Sequence, residues 1–366
     1  MQSYIPDNLP IKGIDYLRLF ASTVAANSEL SRYDGLLQGI VNPAVMLSPM
    51  ETREAVLSSK IEGTQATVDE VLEQEAGINH TGEKHEDINE IVNYRTALRE
   101  SYRYLGDHPV TLSVIREIHR MLLDSVRGQN KRPGEFRLYQ NWIGRPGTPI
   151  EEATYVPPSP MQVQDFLEDW VKYVQGDDKD VLVQAAVMHA QFELIHPFLD
   201  GNGRVGRILI PLFLYQKKKI SQPMFYLSSY LEEHCQEYYS KLRAISNEGD
   251  WNGWIEFFLN AVTAQAKENG LKVKAILSLY EEMKERIQYV SHSQFSIQLL
   301  DFIFRRPVFK TSAFSKETGI PRPTALKLLG RLKSEGIVDE RRKASGSRAS
   351  VLSFSRLLAI VEEPEG

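Results

Sequence analysis

Apolar side chains recur at three- and four-residue spacing along most of the chain, which is the periodicity of helices with a buried face. The clearest example spans residues 184–195. Pro197 ends this helix, because proline lacks the N–H that an interior helical residue needs. The period resumes over residues 205–213, so residues 200–203 are predicted to form a tight turn that leads into a second helix.

The same spacing predicts further helices on both sides of this pair. They cover residues 14–30, 51–61, 88–105, 111–122, 231–245 and 264–289. The predicted fold class is therefore mainly α.

One region, residues 132–160, does not follow the helical period. It contains Pro-Gly, Gly-Thr-Pro and Pro-Pro sequences around two short extended runs, Phe136–Ile143 and Ala153–Val156. Such breaks beside extended runs are typical of turns between strands. The sequence predicts a β-hairpin here.

The C-terminal part, residues 291–366, predicts three helices followed by two short extended runs that flank Gly346. This order is similar to a winged helix-turn-helix domain, with Thr311–Leu332 as the helix pair. Residues 291–356 hold 13 basic and five acidic residues, a local balance of +8. The cations expected to contact nucleic acid are Arg322, Lys327, Arg331, Arg341, Arg342, Lys343 and Arg348. A winged helix used for dimerisation or target docking stays equally open.

Composition narrows the class of protein. The net charge of −5 over 366 residues argues against a nucleic-acid or membrane-surface protein as a whole. Cys235 is the only cysteine, which excludes an intramolecular disulfide and a thiolate zinc site. No apolar run of about 18 residues and no basic, apolar leader occurs, so a cytoplasmic protein without membrane contact is expected.

The turn and helix start at residues 200–207 have the chemistry of an anion site. The first turn of a helix leaves N–H groups unpaired and carries positive potential. Gly201 and Gly203 allow the backbone to approach a phosphate, and Asn202 adds a side-chain donor. Arg204 and Arg207 lie three residues apart on one helical face, where they are placed to hold successive phosphates.

Two further residues complete the chemistry. Asp200 is placed to supply one oxygen to a Mg²⁺ ion whose other ligands are waters and phosphate oxygens. His196, at the end of the preceding helix, has a side chain suited to accepting a proton from a hydroxyl.

Three other interpretations of this stretch fit its residues less well. Residues 201–206 fit Gly-x-Gly-x-x-Gly, but a helix precedes them where the dinucleotide fold has a strand. A calcium loop needs a bidentate Glu at its twelfth position, which is Pro211 here. A plain glycine turn leaves the histidine, the aspartate and both arginines without a role.

Residues 196–207, His-Pro-Phe-Leu-Asp-Gly-Asn-Gly-Arg-Val-Gly-Arg, resemble the Fic family signature His-x-Phe-x-Asp/Glu-Gly-Asn-Gly-Arg-x-x-Arg at every fixed position. The resemblance implies a helical core that transfers AMP from Mg-ATP to a hydroxyl side chain of a target protein. It implies His196 as general base, Asp200 as metal ligand, and Arg204 and Arg207 as ligands of the β- and γ-phosphates. The residues implied around the nucleotide are Gly201, Asn202, Gly203, Arg204, Val205, Gly206 and Arg207.

A second motif precedes the core. Residues 58–63, Ser-Ser-Lys-Ile-Glu-Gly, end a predicted helix over about 51–63 and resemble the family's inhibitory helix, Ser/Thr-x-x-x-Glu-Gly/Asn, at Ser58, Glu62 and Gly63. A Glu62 carboxylate paired bidentately with Arg207 would occupy the fork that the γ-phosphate needs. ATP would then bind only in an unproductive pose.

The resemblance extends to the rest of the nucleotide site. The hairpin at 132–160 resembles the family's flap, which docks an extended target segment by strand addition, with Ile143 and Gly144 nearest the nucleotide. Tyr238, Tyr239 and Asn247 resemble residues that border the adenine and ribose, where an aromatic ring can stack.

The predicted organisation has four parts: an N-terminal helical region (1–110), a Fic core (111–262), a linker helix (263–290) and a winged helix-turn-helix domain (291–366). The predicted function is a protein adenylyltransferase that uses ATP and Mg²⁺, modifies target proteins and itself, and is restrained by Glu62. Two alternatives stay open, a hydrolase that removes AMP and a DNA-binding regulator with a Fic sensor core. Neither the target nor the oligomeric state, including a homodimer, follows from the sequence.

Overall fold

The computed structural model describes residues 3–105, 109–124, 131–145, 147–346 and 349–362. Its helices are α1 (Tyr16–Gln38), α2 (Pro43–Met46), α3 (Ser48–Ile61), α4 (Val68–Glu75), α5 (Glu83–Leu105), α6 (Leu112–Leu122), α7 (Val163–Gln175), α8 (Val181–Ile195), α9 (Asn202–Gln216), α10 (Ser228–Glu233), α11 (Cys235–Glu248), α12 (Trp251–Ser291), α13 (Ser296–Arg305), α14 (Thr311–Thr318), α15 (Arg322–Ser334) and α16 (Ser355–Glu362). The strands are β1 (Val308–Lys310), β2 (Asp339–Arg342) and β3 (Val351–Ser353). The prediction of a mainly α fold is confirmed.

Helix α8 is the buried centre around which the site is built. Asp180 caps its start, where the carboxylate accepts hydrogen bonds from the amides of Leu182 at 2.8 Å and Val183 at 3.1 Å. The indole N–H groups of Trp170 on α7 and Trp254 on α12 donate to carbonyls of α8, at 2.8 and 2.9 Å. Because α8 is enclosed by its neighbours and packs against α9, the turn at its C-terminal end has a fixed position.

Two predicted helices have different bounds in the structure. The predicted helix over 231–245 is two helices, α10 and α11, which meet at His234. The apolar face at 251–258 and the linker predicted from 263 belong to one continuous helix of 41 residues, α12. Among the helices of the described ranges, none has the length and apolar character needed to span a bilayer.

The predicted hairpin is present only in part. Within the described residues of 132–160, strand pairing is limited to a single antiparallel bridge between Ile143 and Tyr155. Residues 150–152, between the two predicted extended runs, form a short 3₁₀ turn. The two runs pair at only this bridge, and side chains of both also bond to the helical core.

The chain divides into two compact units that interleave in sequence. Unit 1 comprises Met1–Asp34, Leu57–Gly63 and Val92–Lys267, and unit 2 comprises Gly35–Val56, Thr64–Ile91 and Glu268–Gly366. The units are thus not contiguous segments, and α1, α3, α5 and α12 each contribute residues to both.

Unit 2 is built around a small sheet in the order β1-β3-β2, in which both pairs are antiparallel. Val308 lies opposite Ser353, and a register shift follows Glu340 in β2. The rings of Phe309 and Phe314 each meet Phe302 edge-on with centroids 5.0 Å apart, which ties β1 and α14 to α13. The order of these elements is the one predicted for residues 291–366, with β1 and α16 in addition.

Candidate active site

The turn from α8 to α9 is shaped by two residues with left-handed backbone conformations. His196 has φ 49° and ends α8 before Pro197. Gly201 has φ 78° and precedes α9, a conformation that glycine adopts without steric cost. A Cβ on Gly201 would also lie 3.2 Å from a methyl of Leu122. The turn therefore presents the start of α9 beside the end of α8.

Asn202 holds this turn together. Its Oδ1 accepts a hydrogen bond from the amide of Phe198 at 2.8 Å, and its Nδ2 donates to the carbonyl of the same residue at 2.9 Å. Its side chain is buried, with 2% of the residue exposed. One N–H of the Asn202 side-chain amide is thus used within the turn, and its predicted donation to a phosphate stays a prediction.

Val205 and Gly206 also face the protein and not the cradle. Val205 is fully buried and its amide donates to the carbonyl of Gly201 at 3.0 Å. A Cβ on Gly206 would lie 2.3 Å from Oε1 of Glu193 and 3.3 Å from the ring of His189. Gly206 gives room to side chains of α8, and the predicted contact of both residues with nucleotide stays a prediction.

His119 supports the turn from α6. Its Nδ1 accepts a hydrogen bond from the amide of Gly134 at 2.8 Å, so the proton is on Nε2, which donates to the carbonyl of Asp200 at 3.0 Å. Its ring stacks on Phe198 with centroids 3.7 Å apart. Burial lowers the pKa of His119 to about 4, so the ring is neutral and structural.

Arg137 fixes the end of α8 and was missed by sequence analysis. Its Nε donates to the carbonyl of His196 at 2.9 Å, and its Nη2 donates to the carbonyl of Pro158 at 2.5 Å. Its own amide donates to Pro197 at 2.9 Å. Burial lowers the pKa of Arg137 to about 10. The only signal in the sequence is an arginine within a predicted extended run, and its burial is seen only in the structure.

The tautomer of His196 is set by one backbone contact. Its Nδ1 lies 3.3 Å from the carbonyl oxygen of Glu193, which only accepts, so Nδ1 carries the proton and Nε2 keeps its lone pair. Burial lowers the pKa of His196 to about 4. The neutral imidazole is thus the form present at neutral pH.

Glu62 reaches the cradle from the end of α3. Its Oε1 lies 2.6 Å from Nη2 of Arg207, and a Cβ on Gly203 would lie only 2.3 Å from the same oxygen. Burial disfavours the carboxylate, but the charge and hydrogen bond of Arg207 outweigh it, and the net pKa of Glu62 lies below its usual value. The carboxylate therefore lies at the glycine predicted to admit phosphate.

Arg207 is held from two sides. Its Nε donates to the hydroxyl of Ser58 at 2.8 Å and its Nη2 to the carbonyl of Ser58 at 3.0 Å. Glu62 contacts Nη2 alone, so the predicted bidentate pairing is corrected to one charged contact. The predicted motif residues Ser58 and Glu62 both meet Arg207, while Gly63 ends the helix with φ 106°.

Asp200 and Arg204 lie on the other side of the turn. Oδ1 of Asp200 is 3.3 Å from Nη2 of Arg204, and 43% of the Asp200 side chain is exposed. No group of three or more His, Cys, Asp or Glu side chains is arranged for a metal in the described ranges. A single exposed carboxylate fits a Mg²⁺ that arrives with phosphates, because Mg²⁺ is commonly held by one or two carboxylates and its substrate.

The predicted adenine residues have unequal access. Tyr238 is 1% exposed and its hydroxyl lies 2.9 Å from Nε2 of His189, so its ring is part of the core beneath the site. Tyr239 is 38% exposed. Asn247 lies exposed in the last turn of α11. Tyr239 and Asn247 stay predictions for the nucleotide, whereas Tyr238 has no face for stacking.

The segment predicted as the flap is anchored to the same turn. Nδ2 of Asn141 donates to the carbonyl of Phe198 at 3.0 Å, and the hydroxyl of Tyr155 donates to the carbonyl of Leu194 at 2.5 Å. Ile143 is 44% exposed, and Gly144 lies beside Thr148. Their predicted place beside the nucleotide stays a prediction.

The fold and the site agree with two family models. The model for the Fic/DOC family N-terminal region matches residues 20–103, and that for the Fic/DOC family matches residues 109–214. Together they span more than half of the chain and include the complete turn described above. The chain belongs to the Fic/DOC family.

Curated relatives are named for one activity. The chain is 27% identical over 191 residues to protein adenylyltransferase fic-1 of Caenorhabditis briggsae, covering 50% of this chain and 34% of that protein. It is 29% identical over 208 residues to protein adenylyltransferase Fic of Drosophila grimshawi, covering 54% and 38%. The match thus spans only a little over a third of each of these relatives.

Solved structures share the fold. A Fic family protein from Desulfovibrio desulfuricans G20 aligns with a TM-score of 0.59 at 19% identity, covering 96% of this chain and 98% of that one. Fic-1 of C. elegans, residues 134–508, aligns with a TM-score of 0.53 at 22% identity, covering 69% and 73%. These likenesses establish the architecture.

Proposed function

We propose that this chain is a protein adenylyltransferase, which transfers AMP from ATP to a hydroxyl of a target protein and of itself, and that Glu62 restrains it. The observation that carries the proposal is the contact of Glu62 with Arg207 at 2.6 Å, in a cradle next to a neutral, oriented His196. The names of the curated relatives support the same reaction.

The transfer follows from the positions of the side chains. Nε2 of His196 takes the proton of the target hydroxyl. The hydroxyl oxygen attacks the α-phosphorus of ATP, and the bond between that phosphorus and pyrophosphate breaks. Arg204 and Arg207 hold the departing pyrophosphate. Asp200 would hold Mg²⁺, which supplies positive charge to the phosphates. The products are the AMP-modified hydroxyl and pyrophosphate.

Glu62 restrains the reaction by competition. Its carboxylate uses a donor of Arg207 and lies against Gly203, where phosphate oxygens would bind. A phosphate that enters must break the contact of Glu62 with Arg207, and the nearby Glu62 carboxylate repels it. ATP therefore binds without its γ-phosphate on Arg207, and its α-phosphorus is not placed for attack.

Target docking is proposed at the flap. Leu138, Tyr139, Trp142 and Ile143 are between 42% and 69% exposed, which is a cluster of large apolar side chains on one segment. Exposed apolar clusters of this kind mark surfaces that bind other chains. An extended target segment laid beside Ile143 would bring its hydroxyl towards the turn to which Asn141 is bonded.

The experiment is transfer of label from α-labelled ATP onto protein with Mg²⁺, comparing the wild type with Glu62→Gly. A charge-assisted hydrogen bond is worth about 1.5–3 kcal/mol, so the variant should transfer label roughly ten to a hundred times faster. Adding His196→Ala to this variant should abolish transfer. Equal labelling of wild type and Glu62→Gly would contradict the restraint, and no labelling of either would favour AMP removal.

A further inference from the structure

Unit 2 contains a cavity of about 1170 Å³. It lies between α14, α15, the β2 and β3 ends and the segment after α4, and four cations line it: Lys310, Lys316, Arg322 and Arg342. We call these four residues and the space that they line the cationic cavity. It is somewhat larger than the about 300–1,000 Å³ typical of small-molecule sites.

The charge of the cationic cavity is not neutralised by the protein. No acidic side chain lines it within the described part of the chain. In those same ranges, none of its four cations lies within ion-pair distance of a carboxylate, and Nε of Arg342 is buried without a hydrogen-bond partner. Four like charges that converge on one space make it a site of strong positive potential.

Some neighbouring cations of unit 2 do form ion pairs with carboxylates. Arg306 lies 3.0 Å from Glu317, and Lys333 lies 2.6 Å from Glu340. Several basic residues of unit 2 outside the cationic cavity are thus paired with carboxylates, whereas the described residues supply none to the four inside it. This contrast points to an anionic ligand that is not part of the chain.

The structure also limits which anion fits. Arg341, predicted to contact nucleic acid, lies 2.9 Å from Asp69 and 3.1 Å from Glu73 on α4. Nη1 of Arg342 donates to the carbonyl of Gly77 at 3.3 Å. The segment after α4, which lines the cavity, is thus bonded to β2, and the space beside α15 is enclosed on that side, unlike the open groove that a duplex requires.

Few of the other cations predicted to contact nucleic acid line the cationic cavity. Arg331 donates to the carbonyl of Ser291. Arg348 lies outside the described residues. Lys327 and Lys343 are exposed and do not line the cavity, so only Arg322 and Arg342 of the predicted set do. The described contacts favour a compact ligand over a surface that follows a DNA backbone.

We infer that the cationic cavity binds a small phosphate-bearing molecule. Two or more phosphate oxygens would meet the fork of Arg322, the buried Nε of Arg342 and the ammonium groups of Lys310 and Lys316. Ser312, which is exposed and lines the cavity, adds a hydroxyl donor. This inference does not depend on the proposed AMP transfer.

The test uses inorganic pyrophosphate as probe, titrated calorimetrically into the full chain without Mg²⁺ and in phosphate-free buffer. The double variant Lys316→Gln with Arg322→Gln should weaken one binding event at least tenfold. Lys327→Gln is the matched control, because Lys327 is an exposed cation of the same helix that lies outside the cavity. It should change the affinity less than twofold, and any pyrophosphate held by the α9 cradle should be equal in all three proteins.

Two outcomes would overturn the inference. Identical isotherms in wild type and double variant would show that the cavity does not hold phosphate. Binding of a 20-base-pair duplex that weakens equally in Lys327→Gln and in the double variant, without discrete pyrophosphate binding, would assign this face to nucleic acid. Circular dichroism of each variant checks folding, and all substituted residues are exposed.

Discussion

Oε1 of Glu62 lies 2.6 Å from Nη2 of Arg207, although 145 residues separate them in the sequence. The arginine side chain is 2% exposed and the glutamate side chain 34%, so the carboxylate is the more accessible partner of the pair. Movement of the end of α3 would release Glu62 and would also break the contacts of Ser58 with Arg207, so phosphate would replace both as partners of the arginine.

The last turn of α3 has one further anchor. Nζ of Lys60 lies 2.8 Å from Glu232 on α10, with 51% and 27% of the side chains exposed. Exposed pairs contribute about 0–1 kcal/mol. Lys60→Ala should raise label transfer by up to about fivefold, less than Glu62→Gly does. Glu232→Ala should have the same effect and add nothing to Lys60→Ala, whereas additive effects would show that the pair does not act as a unit.

The histidine base should remain neutral well below neutral pH. Burial lowers the pKa of His196 to about 4, compared with an ordinary value of 6.5. The folded state keeps the imidazole unprotonated down to about pH 4, and the unfolded state protonates it below about 6.5. The His196 ring signal, assigned in NMR spectra by its absence from His196→Ala, should not titrate between pH 5.5 and 8. A midpoint near 6.5 would contradict the buried, neutral base.

The sequence predicted the parts of the site that depend on local geometry. The turn at 196–207 follows from Pro197, the glycines and the resumed helical period, and the structure has a turn there between α8 and α9. Side-chain direction was not available in the same way. Asn202 and Gly206 occupy positions of the motif. In the folded chain the Asn202 side chain is hydrogen-bonded to the backbone of Phe198, and the missing Cβ of Gly206 leaves space for the side chain of Glu193.

Two residues that support the turn from distant parts of the sequence were missed for the same physical reason. Arg137 bonds the carbonyl of His196, 59 residues away, and His119 bonds that of Asp200, 81 residues away. Helical periodicity describes neighbours within a few turns and carries no information on such pairs. Helical periodicity also does not predict the interleaving of the two units, because α3 and α12 have the pattern of ordinary helices.

Arg137 should be needed both for stability and for the position of His196. Its guanidinium donates to His196, Pro158 and Ile195 carbonyls, an arrangement that a lysine ammonium cannot reproduce. Arg137→Lys should lower the free energy of unfolding by about 2–3 kcal/mol and lower transfer at least tenfold in the Glu62→Gly background. Arg145→Lys, an exposed arginine of the same segment, is the control and should change neither. Loss of stability with full transfer would show that Arg137 does not position His196.

Glu193 gives a prediction for the pH dependence of stability, because its pKa is raised whereas that of His196 is lowered. Burial raises its pKa to about 8 from 4.5, and its Oε1 has no hydrogen-bond partner in the described ranges. Between these two values the folded state holds the proton and the unfolded state releases it, so stability is full below about pH 4.5 and falls as pH rises through 8.

Glu193→Gln replaces the protonated carboxyl with a neutral side chain of equal size. The variant should match the wild type in free energy of unfolding at pH 5 and exceed it at pH 8.5, by on the order of 1–3 kcal/mol. Urea unfolding at both pH values measures this, and Glu233→Gln, on the surface of α10, should show no such difference. A variant less stable at pH 8.5 would mean that Glu193 is ionised in the folded state, where its charge would then support Arg207 after Glu62 has left.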